Sequence, residues 1–436
     1  MSKPRQHSLR PISPSAKNNG RVTSSPATPP QIPAARPAPD DREAWKAYWQ
    51  AQGQPWRTEP EIDTKRQDEL AQRRSIVPDI ERGIYPFKAM KLSRADAEWL
   101  LATHDNGRGP VDWSDEQERK REGLDLRGAD LSQAYLQHLP LTRLHGGLKV
   151  DEWRKAAQEQ RAMAAILMEG ANLSGAQLES ADLSGAQLED ADLNQAWLEN
   201  ADLIKAKLGG ASFCGAHLEG ACFMGAQLGN KQRIGPRLAD AQWGNANLSV
   251  VEWSQFTQLG DEWEAHQKRK RDGKKKTEET RFDGYRAALR ANRQLAVALR
   301  NQGLNDEADH FAYRAQLLQR VVWRYQHKWL KCIFSWLLFL IAGYGYRPSR
   351  SFLSYLLVIT GFATAYYLLG YSVGPTLSPL GAFVFSMTSF HGRGFFPGNN
   401  ISLDDPLTVL AAFEALVGLI IEVMFIATLT QRFFNR

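Results

Sequence analysis

From Ala171 onward the chain repeats every five residues, a period that belongs to neither a helix nor a strand. Alanine fills every fifth position from Ala171 to Ala226, twelve times without a miss. Two positions later stands Leu or Phe, again twelve times, from Leu173 to Leu228. The chain must therefore turn once per unit. One small and one large apolar side chain can both face inward if each unit forms one side of a square coil. Stacked coils then bury a continuous apolar column, which no single unit could bury alone.

Units such as Ala181-Asp182-Leu183-Ser184-Gly185 and Ala201-Asp202-Leu203 follow an A(D/N)LXX pattern. In this the segment resembles the pentapeptide-repeat family. The resemblance implies a right-handed quadrilateral β-helix with four units per coil. An earlier run, Leu126, Leu131, Leu136 and Leu141 with Ala129 and Ala134, belongs to the same pattern. The solenoid is therefore expected over 124–255, with an insertion at 146–165 that opens on a helix near Asp151–Lys155. Lys231 and Arg233 fall where Ala and Leu are due, which implies a bulge. Trp243, Leu248 and Trp253 resume the central position and offer an aromatic end to the column.

Glu179, Glu199 and Glu219 lie 20 residues apart, so they should stack on one outer face, at about 4.8 Å per coil. Two readings stand: a solvated acidic surface, or a strip that docks a basic protein partner or mimics nucleic acid, as gyrase-blocking relatives are thought to do. Cys214, His217 and Cys222 have metal-ligand chemistry, but their places in the repeat do not converge on one ion, so no metal is assigned.

Charge divides the chain into blocks that its net +6 conceals. Residues 1–40 hold nine of the 21 prolines and six basic residues, with little to bury; a disordered tail without a signal peptide is expected. Residues 41–123 have helical spacing, with Ser93 a plausible N-cap, and are expected to form a helical cap. Residues 166–230 carry net −7. Residues 268–350 carry 19 basic against seven acidic residues, net +12. Within 256–331, a basic linker should lead into a helical hairpin: Tyr285, Leu289, Leu295 and Leu299 mark one helix, Gly303 closes it, and Ala308, Phe311, Ala315 and Leu318 mark the next. The three cysteines fit a reducing compartment.

The segment 332–436 reads as a membrane domain. No Asp, Glu, Lys or Arg occurs from Ser351 to Gly392. Two spans are expected, about 352–371 and 407–429, each long enough to cross. Cys332–Ala342 is apolar but short, an interfacial helix or a third span. The Lys/Arg bias before the first span and after the second places both termini in the cytoplasm. Between the spans, Ser378-Pro379 opens an apolar helix over about 380–390, too short to cross.

An outer helix, a short helix, a glycine-containing run and an inner helix resemble the two-transmembrane pore domain of potassium-channel-like proteins. Gly392-Arg393-Gly394 falls where that family has Gly-Tyr-Gly, and Ser389, Phe390 and His391 precede it. The resemblance implies a homotetramer in which this run is the filter, its glycines aiming carbonyls at a passing inorganic ion. The family's Val is His391 here, its Tyr is Arg393 and its coordinating Thr is Phe390, so the filter is degenerate. Gly418 is the expected inner-helix hinge, and Glu422, one turn later, is expected to line the cavity. Glu414 is placed to brace the short helix.

The expected architecture is multidomain: the β-helix, an α-helical connector and an α-helical two-transmembrane pore domain. The expected function is a channel-like protein of a bacterial inner membrane, with the solenoid as regulatory or scaffold domain. The alternative is a non-conducting, membrane-anchored scaffold. The sequence holds no phosphate loop or nucleophile–base pair, so no enzyme activity and no cofactor is assigned.

Overall fold

The computed structural model describes residues 36–269, 273–345, 348–372, 377–392 and 406–434. Most of the tail expected at 1–40 therefore lies outside the described residues.

The five-residue period becomes a square coil. Asn172 pairs in parallel with Asp192, Gln177 with Trp197, Asp182 with Asp202 and Gln187 with Lys207, each step covering 20 residues. The sides are single bridges, because the chain turns before a strand can lengthen. The turn is made by the residue before each Ala. All twelve such positions from Gly170 to Gly225 have positive φ. Seven are Gly; Ser180, Asp190, Gln195, Asn200 and Lys205 adopt the left-handed region at some cost. Every Ala and every Leu or Phe of the repeat is buried, so the sides of each coil close on one apolar column. A fully buried Leu contributes about 1.5–3 kcal/mol.

Two insertions interrupt the step. Tyr135 pairs with Asn172 and Pro140 with Gln177, a step of 37 residues. The excess chain loops out as the short helices α5 (Val150–Lys155) and α6 (Gln158–Ala164). Ser212 pairs with Arg237 and His217 with Gln242, a step of 25 that bulges out Lys231–Arg233. Trp243, Leu248 and Trp253 then return to the column.

Both ends of the solenoid are covered, which removes two exposed sheet edges. At the N-terminal end, α1 (Arg42–Ala51), α2 (Thr64–Arg74), α3 (Arg94–Ala102) and the kinked turn α4 (His104–Gly107) build a cap. Ser93 caps α3 in a reciprocal box with Asp96. The Leu92 amide donates to the Asp130 carbonyl at 2.8 Å, pairing the cap with the first coil. Leu70, Phe87 and Leu100 continue the same core as Leu126 and Leu131.

At the other end, α7 (Gly260–His266) leads to a hairpin of α8 (Glu278–Asn301) and α9 (Asn305–Tyr325). The hairpin is more than a connector. Phe311 packs edge-on to Trp253 at 5.9 Å and lies 6.1 Å from Phe256. Gln302 accepts from the Leu248 amide at 2.8 Å and donates to the Ala246 carbonyl at 2.7 Å, replacing the next coil. Arg314 forks onto Glu262, both contacts 2.7 Å, and Arg290 pairs with Asp240. A helical pair thus finishes a column that the repeat could only leave open.

α9 runs into α10 (Trp329–Ala342) through three residues, with His327 left-handed. Fourteen residues make about 21 Å of helix, short of the roughly 30 Å of a bilayer core. Leu330, Ile333, Phe334 and Leu337 stand exposed along α10. α11 (Pro348–Ser372), α12 (Pro379–Phe390) and α13 (Pro406–Phe434) follow and pack on one another. The stretches Arg350–Gly370 and Pro406–Ala427 are long and apolar enough to cross a membrane.

Candidate functional site

α12 is positioned from its first residue. Ser378 Oγ accepts from the Gly381 amide at 3.0 Å, and Pro379 occupies the first turn, where its missing N–H costs nothing. The apolar side of α12, Ala382 and Phe385, meets Tyr366 of α11 and Leu407 and Ala411 of α13. Inside this contact lies Glu414, fully buried. It accepts from the Tyr366 hydroxyl at 2.6 Å and contacts Ser386 Oγ at 2.5 Å. Ser386 Oγ also lies 2.9 Å from the Ile359 carbonyl oxygen. Glu414 thus ties all three helices together. An apolar interior makes such a satisfied network specific to one arrangement.

The C-terminal end of α12 is fixed by the inner helix. Gly418 lies against the Phe390 carbonyl, and a Cβ at Gly418 would overlap that oxygen. The glycine expected to serve as a hinge is therefore a close-approach residue, and it sits inside an uninterrupted helix. His391 Nδ1 donates to the Met387 carbonyl at 2.8 Å. Its Nε2 lies 3.3 Å from Glu422 Oε1 and 3.3 Å from the Tyr355 hydroxyl. Glu422 thus faces the end of the short helix within its own chain.

The residues read from sequence as a filter divide into three groups. Ser389 and Phe390 form the last turn of α12 and are buried, Phe390 edge-on to Tyr355 at 4.8 Å. Their side chains fill the contact between helices, because the helix continues to Phe390. His391 and Gly392 form the turn that follows, with Gly392 at φ +68°. Arg393 and Gly394 lie outside the described residues.

The acidic row of the solenoid also needs correction. Glu179, Glu199 and Glu219 do stack, since Ser180 N donates to the Glu199 carbonyl and Asn200 N to the Glu219 carbonyl, both at 2.8 Å. Glu179, however, is only 5 % exposed. The coil before the insertion covers it, and Thr142 Oγ1 donates to its Oε2 at 3.0 Å. Burial pushes the Glu179 carboxyl above the usual range, and Glu199 pushes in the same direction. Glu199 and Glu219 are half-buried. The exposed strip is therefore shorter than three exposed carboxylates would make it.

Cys214, His217 and Cys222 go separate ways. Cys214 Sγ faces Asp261 Oδ1 at 3.8 Å, while the His217 ring lies flat on Trp197 with centroids 4.2 Å apart. His217 instead approaches Glu199 and Glu219. Sequence reading missed that grouping because it weighed His217 only with the two cysteines, although Glu199 and Glu219 stand one regular 20-residue coil apart beside it. It also missed Asp261, which is buried and accepts from the amides of Leu238 at 2.6 Å and Ala239 at 3.2 Å. Burial raises its carboxyl pKa to about 6, against those two amides.

The family model for pentapeptide repeats matches residues 167–195 and 196–230, in eight copies. No curated protein matches the chain. Among solved structures, HetL, a pentapeptide repeat protein involved in heterocyst differentiation regulation from Nostoc, is 24 % identical with a TM-score of 0.21, covering 31 % of this chain and 52 % of its own. A pentapeptide repeat protein from the Arabidopsis thaliana thylakoid lumen is 24 % identical with a TM-score of 0.15, covering 28 % and 61 %. One from the cyanobacterium Cyanothece is 27 % identical with a TM-score of 0.16, covering 31 % and 88 %. The chain thus spans about half of the first of these and three fifths of the second. Residues 167–230 of this chain are pentapeptide repeats.

Proposed function

We propose that this protein is a membrane-embedded, channel-like protein whose solenoid is a rigid regulatory or scaffold domain. One observation carries the reading. A helix too short to cross, α12, is seated between two helices long enough to cross, and its C-terminal end is held by Gly418, His391 and Glu422. Half-length helices are stable at membrane depth only when protein or water surrounds their ends. Burying a polar network at Glu414 to seat one is hard to account for in a simple anchor. In a homotetramer, four such ends would meet around one axis and carry an inorganic ion. The basic approach to α11 supports an orientation with the solenoid and both termini on the cytoplasmic side of a bacterial inner membrane.

A second reading has its own support. Phe390 is buried, and His391 and Glu422 occupy one another. On this reading the membrane domain anchors a non-conducting scaffold, and the half-buried Glu199 and Glu219 face a basic partner. Flux separates the two. Full-length protein reconstituted in salt-loaded liposomes should dissipate a cation or anion gradient faster than empty liposomes. Equal rates across both kinds of gradient favour the scaffold.

A further inference from the structure

Three side chains on the solenoid converge although the repeat does not require it. Glu199 and Glu219 stand one coil apart, and His217 reaches them from the neighbouring row; their ligand atoms lie within 4.8 Å of one another. Each glutamate keeps its Oε2 shielded from solvent with no hydrogen-bond partner. A shielded, unpartnered carboxylate oxygen costs free energy unless a proton or a cation meets it. The His217 ring is held in plane by Trp197, at 4.2 Å and an interplanar angle of 2°. Its Nε2 lies 3.4 Å from the Gln242 side-chain amide. With that amide turned over, its carbonyl oxygen accepts Nε2–H, the outer hydrogen bond that orients a metal-ligating imidazole.

We propose that Glu199, His217 and Glu219 bind a divalent transition cation of the zinc type. One imidazole nitrogen and two carboxylate oxygens would serve as ligands, with water completing the shell on the solvent side. Zinc takes nitrogen and oxygen ligands at about 2.0–2.2 Å, so modest side-chain rotation closes the present separations. A cation also neutralises two like charges that the coil spacing forces together. Glu189 is the internal control: its Oε2 is equally shielded and unpartnered, but it lies outside this group.

The site is tested on the full-length protein in detergent by titration with Co²⁺, read by visible absorption, followed by Zn²⁺ competition. The proposal expects one Co²⁺ per chain, with a ligand-field band that Zn²⁺ removes. His217→Gln and Glu199→Gln should each weaken binding at least about tenfold, while Glu189→Gln should leave it unchanged. Circular dichroism of each variant should match the parent, since all three side chains lie outside the apolar column. No band at about a hundredfold excess of Co²⁺ would overturn the proposal. So would a band that survives His217→Gln, or equal loss on Glu189→Gln. Conduction is not involved, so this outcome stands apart from that of the flux assay.

Discussion

At the scale of single residues, the solenoid is governed by a position that carries no side-chain chemistry. The residue before each Ala must turn left-handed, and at Gly215 (φ +68°) the nearest atom to an added Cβ is Gln195 Cγ at 3.4 Å. Gly215→Ala therefore meets no clash, and its cost is conformational, about 1–2 kcal/mol. Chemical denaturation followed by far-UV circular dichroism should show that loss; an unchanged midpoint would mean the turn is not set at this residue. Gly418 is the opposite case, limited by space. Gly418→Ala forces α13 off the Phe390 carbonyl, at about 1–3 kcal/mol for overpacking. Thermal unfolding in detergent should fall by several degrees.

Asp261 gives a pH-dependent test. Its pKa in the folded chain, about 6, exceeds the ordinary 3.8. Between those values the folded state holds the proton more tightly than the unfolded one, so stability from this group is fully present below pH 4. It is lost as pH rises through 6. Leu238 N donates to Oδ2 and Ala239 N to Oδ1, so Asp261→Asn keeps an acceptor for one of these amides, loses the other, and removes the titration. The variant's melting temperature relative to the parent should therefore rise from pH 4.5 to pH 7.5, whatever constant offset the lost hydrogen bond adds. A constant difference across that range would remove Asp261 as the cause.

At the scale of elements, the repeat itself was legible because Ala and Leu recur without a miss and each has one inward place. The 12-residue helix α12 was equally legible, since Ser378-Pro379 starts it and no charge lies within it. That the hairpin closes the C-terminal end was not legible. Phe311 looks in sequence like one member of a hairpin's own apolar face, and only the fold puts it on Trp253 and Phe256. Nothing local stops α12 before Phe390, so Ser389 and Phe390 stay helical. The burial of Glu179 depended on which coil returns above it, a matter of the 37-residue step. The hairpin's role as a lid predicts that Phe311→Ala opens the column. A loss of about 3–5 kcal/mol is expected, with tryptophan emission shifted to the red. Unchanged stability and emission would mean that the column ends before the hairpin.

At the scale of the whole molecule, the blocks of charge and apolarity describe one continuous object. A single core runs from Leu70 in the cap through the coils to Phe311. α9 carries that body to α10 with three residues between them, so on the proposed reading movement of the solenoid would reach the helices that follow. Arg320, Arg324, Lys328 and Lys331 gather at this junction, where on the proposed reading an anionic lipid surface would attract each by about 1 kcal/mol. The arrangement suits a solenoid whose load or ligand biases the inner helix. The most direct measurement is single-channel recording of the purified full-length protein in planar bilayers, with incorporation verified by labelling. The account predicts discrete unitary currents whose amplitude or selectivity changes in Glu422→Gln. Silent bilayers containing incorporated protein, across varied salts, lipids and pH, would contradict it.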